Sequence, residues 1–370
     1  MSKVAIKHSS DHLLLLVILG LTLFGFVMVG SASAVVAERF HDDQFFFVRH
    51  QVLFGGSFGL IAFLTGFLVP YRHWRWLALP GFILSLFLLV LVFVPGISQE
   101  YGGASRWIGF GPITIQPTEI TKLAFILYLA ALLEKKGEDI KDLRKSVIPF
   151  LVISSIIGVL IILQPDMGTL LSIALIAATM VFVAGFRIWH LAMMFFGGLS
   201  LFAVFLNTAK YRLDRIVVYL HPELDPQGIG YQINQALLAV GTGGLWGLGL
   251  GYSRQKYQYL PEPAGDSVFA IIAEELGMVR SSFLLMVYAT IGWRGFAIAR
   301  QAPDAFGRLL ATGITSWILV QTFINVGSIL GISPLTGIPL PFISYGGSAL
   351  GMILFASGVL LNISKYTVDD

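Results

Sequence analysis

Residues 13–34 read LLLLVILGLTLFGFVMVGSASA, an apolar run without a charged side chain. A helix needs about 20 such residues to cross the roughly 30 Å hydrocarbon core of a bilayer, so this run predicts a membrane span. Nine further apolar runs follow, at 46–69, 77–94, 117–133, 147–163, 168–185, 191–206, 281–299, 309–331 and 347–363. The sequence therefore predicts an all-α polytopic membrane protein with about ten transmembrane helices.

Composition supports this fold class. The chain is 56% hydrophobic and 12% charged, whereas a soluble domain carries about 25% charged residues. The sequence contains no cysteine, which excludes disulfides, thiol catalysis and cysteine zinc sites. The net charge of +3 gives no indication of nucleic-acid binding. The N-terminus also resembles a signal peptide, but its apolar run is longer than the usual core of about 7–15 residues. This length favours an uncleaved first span.

Basic residues predict the orientation, because lysine and arginine concentrate in cytoplasmic loops. With the N-terminus inside, the inner segments hold fourteen lysines and arginines, and the short outer loops hold three. We therefore expect both termini in the cytoplasm and a large extracytoplasmic loop, residues 207–265, between spans seven and eight. The whole chain, 1–370, is expected to form one integral-membrane domain.

The longest polar segment between apolar runs is followed by YLPEPAGDSVFAIIAEELG, residues 259–277. Its two prolines exclude a helix across Glu262, and a helical pattern begins near Asp266. Asp266 is thus a candidate general base, or alternatively only a helix N-cap. The Gly-rich run GTGGLWGLGLG (241–251) lacks the spacing of a nucleotide fingerprint and indicates close backbone packing.

Glu119 and Lys122 lie one helical turn apart inside an apolar run. Side chains three residues apart on a helix can pair, and charges within a membrane span are costly and usually functional. The sequence therefore predicts an ion pair in a functional cavity. A pair that only locks two helices remains an alternative.

The remaining candidates fall on the outer side. An adjacent Arg106 and Trp107 lie in an outer loop, and Asp166 lies in a break between spans that is either a plain turn or a functional site. PLTGIPLPFISYGGSAL (334–350) predicts a rigid, non-helical insertion, which a membrane protein tolerates only when it is packed in protein or lines a cavity.

These residues predict one outer cleft with both acidic and basic groups, suited to a lipid that carries a pyrophosphate or a sugar. Basic side chains bind phosphate, and a carboxylate can act as general base. No histidine has metal-ligand spacing, so no metal ligands are predicted. The candidate residues are Arg106, Trp107, Glu119, Lys122, Asp166, Lys256, Glu262, Asp266 and Ser344.

Four stretches resemble the SEDS family of cell-wall proteins, meaning FtsW, RodA and SpoVE, and the resemblance covers nearly the whole chain. The stretches are GASRWIGFGPITIQPTEITKLA (103–124), LQPDMG (163–168), GLGYSRQKYQYLPEPAGDSVFAIIAEELG (249–277) and GIPLPFISYGGSAL (337–350). The segments GIGYQINQALLAVGTGG (228–244) and SRQKYQYLPEP (253–263) are more similar to the FtsW/SpoVE division branch than to RodA.

The resemblance implies a peptidoglycan glycosyltransferase that polymerises lipid II at the outer face of the bacterial inner (cytoplasmic) membrane, at the division septum. It implies a class B penicillin-binding protein and other division-complex membrane proteins as partners. The alternatives are a RodA-type elongation polymerase, a lipid II flippase or transporter, and a noncatalytic scaffold. Inverted repeats would favour a transporter, and none is visible in the motifs.

The resemblance also assigns roles. Asp266 would be the catalytic base of an inverting displacement, with Trp107, Glu119 and Lys122 matching other family positions. The leaving undecaprenyl pyrophosphate would be held by basic residues of the cleft, and any divalent cation, Mg²⁺ or Mn²⁺, would be shared with the pyrophosphate. Gly102 departs from the basic or amide residue that many relatives have at this position.

Overall fold

The structure, a computed structural model, describes residues 8–101, 104–110, 113–206, 210–257 and 259–368. Over these ranges the chain forms thirteen α-helices and one small sheet. The helices are α1 His12–His41, α2 Phe46–His50, α3 Ser57–Leu68, α4 Trp74–Leu91, α5 Pro117–Lys136, α6 Ile148–Leu163, α7 Met167–Ala184, α8 Ile188–Leu206, α9 Lys210–Leu220, α10 Ile229–Gly243, α11 Val268–Gln301, α12 Ala305–Ile329 and α13 Gly347–Ser364.

The predicted fold class is confirmed. Within the described ranges, seven helical stretches are long and apolar enough to cross a membrane. They are His12–His41, Phe46–Leu68, Tyr71–Leu91, Leu143–Leu163, Met167–Ala184, Ala305–Ile329 and Gly347–Ser364. The other three predicted runs lie in α5, α8 and α11. The count of ten spans, the extracytoplasmic loop and the single domain stay predictions.

Helices α12 and α13 form the centre of the bundle, and most of their residues are buried. The outer helices instead turn apolar side chains outward, as Leu16 and Ile61 show with 67% and 66% exposure. Such faces suit lipid. Glycines bring α3 and α13 together, because a methyl group at Gly66 or Gly358 would overlap backbone of the facing helix. Small residues of this kind allow close helix packing in membranes.

A three-stranded antiparallel sheet lies between α4 and α5, where only an outer loop was predicted. Its strands are β1 Ser98–Tyr101, β2 Ala104–Phe110 and β3 Ile113–Ile115, in the order β1-β2-β3. The strands are short and interrupted by glycine and proline, so their alternating pattern is too weak to identify from sequence.

Helix α11 is broken at Gly277, which has φ 78° and ψ 173°. The break leaves backbone groups of α11 without partners in the helix, and these groups form hydrogen bonds with the Gly-rich run. Leu248 N–H donates to Glu274 O at 3.0 Å, and Met278 N–H donates to Gly244 O at 2.8 Å. A side chain at Gly277 would overlap this run. Close backbone packing, as predicted for residues 241–251, is therefore confirmed.

We expect Gly277→Ala to destabilise the protein by about 1–3 kcal/mol, since its backbone conformation is nearly restricted to glycine. The midpoint of thermal unfolding in detergent should fall. Gly241→Ala is the matched control, because a methyl group there meets no atom within 4 Å. Equal unfolding midpoints for the two variants would contradict the requirement for glycine at position 277.

Candidate active site

Asp266 lies at the end of the non-helical segment 260–266, just ahead of α11, and its side chain is half-buried. Its backbone carbonyl accepts a hydrogen bond of 2.7 Å from Asn325 Nδ2 of α12. Its carboxylate faces Gly337 of the non-helical segment 334–346. Asp266 therefore sits where two irregular segments meet a central helix.

Burial raises the pKa of Asp266 to about 7, and the negative charge of the exposed Glu262 contributes to the rise. A carboxylate with this pKa is suited to accept a proton near neutral pH. The capping alternative is wrong, because the N-cap residue of α11 is Ser267 and no side chain forms a capping hydrogen bond there.

Ser344 joins the two irregular segments. Its hydroxyl donates to Gly265 O at 2.7 Å and accepts from Leu340 N–H at 2.7 Å. The next residue, Tyr345, donates its N–H to Ala264 O at 2.8 Å. The Ser344 hydroxyl thus binds backbone on both sides, and it holds segment 334–346 against segment 260–266.

Two amides of α12, which sequence reasoning missed, hold segment 334–346 from the other side. Gln321 Nε2 donates to Pro339 O at 2.9 Å, and Asn325 Nδ2 donates to Ile338 O at 2.8 Å. Both side chains are buried. The signal in the sequence was the spacing of the two amides, since residues four apart lie on one face of a helix.

The predicted Glu119–Lys122 ion pair is confirmed. Lys122 Nζ lies 2.7 Å from Glu119 Oε1, and both side chains are almost completely buried. Lys122 also donates to Gln321 Oε1 at 2.6 Å and lies 5.0 Å from the centre of the Trp317 ring. The pair on α5 is thereby connected through Gln321 to segment 334–346.

Arg106 on β2 is bonded to the turn between α6 and α7. Its Nε and Nη2 donate to Gln164 O at 3.1 Å and Pro165 O at 2.6 Å. Neighbouring strand residues point to opposite faces, so Trp107, which is half-buried, faces the other side of the sheet.

Asp166 has a structural role in the same turn. Its Oδ1 accepts from Thr169 N–H at 3.0 Å and its Oδ2 from Thr169 Oγ1 at 2.8 Å, which caps α7. Gly168 packs against Thr336 and Ile338. Arg106 and Asp166 are therefore brought to the same segment, 334–346, that borders Asp266.

Lys256 lies in a different environment. Its Nζ is 3.1 Å from Glu275 Oε1, 2.5 Å from Gly251 O and 3.4 Å from Ser31 Oγ. The ammonium group is buried and its three donors each have an acceptor. The neighbouring Glu274 accepts from Ser253 Oγ at 2.5 Å. Glu274 and Glu275, the two glutamates near the end of the stretch 259–277, are thus bonded within the protein.

A cavity of about 960 Å³ opens between α1, α2 and residues 250–257. Its walls are mostly apolar, with Ser31 and Lys256 among its polar groups. Of the predicted site residues, Lys256 alone lines this cavity in the described part of the chain.

Known proteins are similar to this chain over nearly all of its length. The family model described as cell cycle protein, which covers FtsW, RodA and SpoVE, matches residues 11–369. The chain belongs to this family. It is a multi-pass membrane protein of the SEDS type, as the sequence motifs predicted.

Individual relatives agree with the family match. The chain is 46% identical to stage V sporulation protein E of Bacillus subtilis, over 98% of both chains. It is 41% identical to the probable peptidoglycan glycosyltransferase FtsW of Geobacter sulfurreducens, over 96% of this chain and 95% of the relative.

Two solved structures have a similar fold. A chain from a peptidoglycan synthase complex that coordinates polymerization and crosslinking superposes with a TM-score of 0.78 at 28% identity, covering 96% of this chain and 97% of the other. The rod shape determining protein RodA of Thermus thermophilus superposes with a TM-score of 0.70 at 29% identity, over 98% of both chains.

The buried ion pair makes a prediction about stability. Lys122→Met or Glu119→Gln leaves an uncompensated buried charge, which costs about 3–5 kcal/mol. Removing both charges together leaves none, so the double variant should have a higher thermal unfolding midpoint than either single variant. All three should lose cell-wall synthesis if the pair belongs to the site.

Thr121→Val is the control for this series, because the Thr121 hydroxyl bonds only to the carbonyl of Pro117 in its own helix. A double variant less stable than both single variants would contradict the pairing. Normal growth of both single variants at normal expression would show that the pair is not functional.

Proposed function

We propose that this protein is a peptidoglycan glycosyltransferase that polymerises lipid II into glycan strands at the outer face of the bacterial inner membrane. One observation carries the proposal: a half-buried carboxylate, Asp266, with a pKa of about 7, where two irregular segments meet α12. The identity to proteins named peptidoglycan glycosyltransferase FtsW supports the same activity.

The proposed reaction is an inverting displacement. Asp266 accepts the proton of the acceptor sugar's 4-hydroxyl, and the oxygen attacks the anomeric carbon of the donor sugar. The bond from that carbon to the pyrophosphate breaks, and undecaprenyl pyrophosphate leaves with the electron pair. A base with a pKa near 7 is half ionised at neutral pH, and such a base contributes roughly 10²–10⁴ to the rate.

The leaving pyrophosphate needs positive charge. Arg106 uses two of the five N–H donors of a guanidinium in its bonds to the 164–165 turn, so three remain for phosphate oxygens. Lys122 contributes a second positive charge, although Glu119 offsets it. Lys256 is already paired with Glu275, and we assign it to holding the 250–257 loop.

The other predicted residues act around this centre. Glu262 adds to the rise that burial causes in the pKa of Asp266, and it is exposed enough to contact a sugar. Ser344 joins the two irregular segments through its backbone bonds. Asp166 caps α7, whose Gly168 packs against segment 334–346. Trp107 offers a half-buried indole on the other face of the sheet.

A divalent cation, Mg²⁺ or Mn²⁺, fits this site only if the substrate supplies most of its ligands. No group of three histidine or carboxylate side chains is placed to hold a metal in the described ranges. Glu262 and Asp266 offer two carboxylates at most, and Mg²⁺ is often held by one or two carboxylates plus substrate phosphates. Such a cation would neutralise pyrophosphate charge.

We further propose a septal role, with both termini in the cytoplasm and a class B penicillin-binding protein and other division-complex membrane proteins as partners. The 46% and 41% identities to SpoVE and FtsW proteins, against 29% to RodA, support the division branch. The similarity to a chain of a polymerizing and crosslinking complex supports a crosslinking partner.

Asp266→Asn tests the proposed base. Asparagine preserves the size of the side chain and cannot accept the sugar proton, so lipid II polymerisation should fall by roughly 10²–10⁴. The measurement is turnover of labelled lipid II by the purified protein with its transpeptidase partner. Folding, membrane insertion and partner binding should be unchanged.

Asp225→Asn is the matched control. Asp225 accepts from the N–H groups of Gly228 and Ile229 through its two oxygens, and asparagine keeps one acceptor oxygen in the same turn. Near wild-type turnover by the Asp266→Asn protein would overturn the assignment of Asp266 and move the base to another carboxylate.

A further inference from the structure

One amide group touches both irregular segments of the site. Asn325 Nδ2 donates to Asp266 O at 2.7 Å and to Ile338 O at 2.8 Å. The side chain is 1% exposed, so water does not compete with these two bonds. An amide nitrogen has two N–H donors, and both are used here to hold backbone carbonyls from different segments.

We infer that Asn325 is a positioning residue for the glycosyl transfer, because its amide fixes the backbone of Asp266 against segment 334–346. The inference rests on the proposed function of Asp266. It concerns a residue that touches no reacting atom and that acts through the placement of the base.

The other bonds between the segments do not hold residue 266 itself. Ser344 and Tyr345 bond to the carbonyls of Gly265 and Ala264, which fixes the chain before Asp266. Gln321 bonds to Pro339 and Lys122, one turn away on α12. Asn325 therefore provides the side-chain bond to residue 266 from the central helix.

Loss of this bond should change the environment of the carboxylate as well as its position. The charged group acting on Asp266 within the described ranges is Glu262. Helix α12 and segment 334–346 face it with the uncharged Asn325 and Gly337. A loosened segment admits water, which stabilises the ionised carboxylate and lowers its pKa. The pH at which activity is half-maximal on the acid side should therefore fall.

The test compares Asn325→Ala and Asn325→Ser in the full-length protein with its transpeptidase partner, using labelled lipid II across a range of pH. A misplacement of about 1 Å can cost about 100-fold in rate, so we expect kcat to fall roughly 10-fold to 100-fold. The KM for lipid II should stay within about two-fold, because substrate contacts remain. The acid-side midpoint of kcat should move down by about half a pH unit.

Thr322→Val is the matched control on the same helix. Thr322 is buried, and its hydroxyl bonds to Ile318 O within α12. This variant should keep the wild-type kcat and the wild-type midpoint. Size-exclusion profiles and thermal unfolding of all variants, measured in parallel, report whether each one folds.

Three results would overturn the inference. The first is a wild-type kcat and midpoint in both Asn325 variants. The second is a lowered kcat with an unmoved midpoint. The third is failure of both variants to fold, which would assign Asn325 to stability alone.

Asp266→Asn is measured alongside: if that variant is inactive while the Asn325 variants behave as wild type, this inference fails and the proposed function stands. If Asp266→Asn is active, the assignment of Asp266 as the base fails first, and this inference fails with it.

Discussion

Buried backbone that leaves the helical conformation must find partners for its polar groups inside the protein. Segment 334–346, which connects α12 to α13, is such a stretch of backbone. Side chains provide the partners of this segment. Gln321 and Asn325 donate to its carbonyls, and the Ser344 hydroxyl accepts from a backbone N–H within it. The same side chains reach the ion pair on α5 and the loop of Asp266, so satisfying the backbone also assembles the site.

Electrostatics separate Asp266 from the other buried acids. Glu119 is neutralised by Lys122 and Glu275 by Lys256. Asp266 has no cation partner among the described residues; burial and the charge of Glu262 act on it instead. A carboxylate without a counter-charge in a low-dielectric site holds its proton to higher pH. Among the described residues, two buried acids are thus paired with a cation, and the buried Glu274 and Asp166 are held by hydrogen bonds instead. Asp266 is left able to exchange a proton near neutral pH.

The sequence predicted what depends on local pattern. Each apolar run became helical, because run length and composition decide a membrane helix almost alone. The Glu119–Lys122 pair followed from a spacing of one turn, and the irregular segment followed from its prolines and glycines. Membership of the SEDS family, predicted from motifs, is confirmed over residues 11–369.

What the sequence did not predict depends on contacts between distant segments. The pairing of Lys256 with Glu275 and Ser31 joins three parts of the chain, and no local spacing indicates it. Gln321 and Asn325 share one face of α12, but no local pattern indicates that the carbonyls of Asp266 and Ile338 lie beside Asn325. The sheet at 98–115 has strands of three to seven residues, which are too short for a clear alternating pattern.

The central claim is that an unpaired, half-buried Asp266 is the base of glycosyl transfer, and the pH dependence of lipid II polymerisation tests it most directly. Because the base acts in its ionised form, activity of the wild-type protein with its partner should rise with pH through a midpoint near the pKa of about 7. Glu262→Gln removes a negative charge that favours the protonated form, so the midpoint should move to lower pH. A wild-type profile that is flat from about pH 5 to pH 8, or a midpoint that moves upward in Glu262→Gln, would contradict the account.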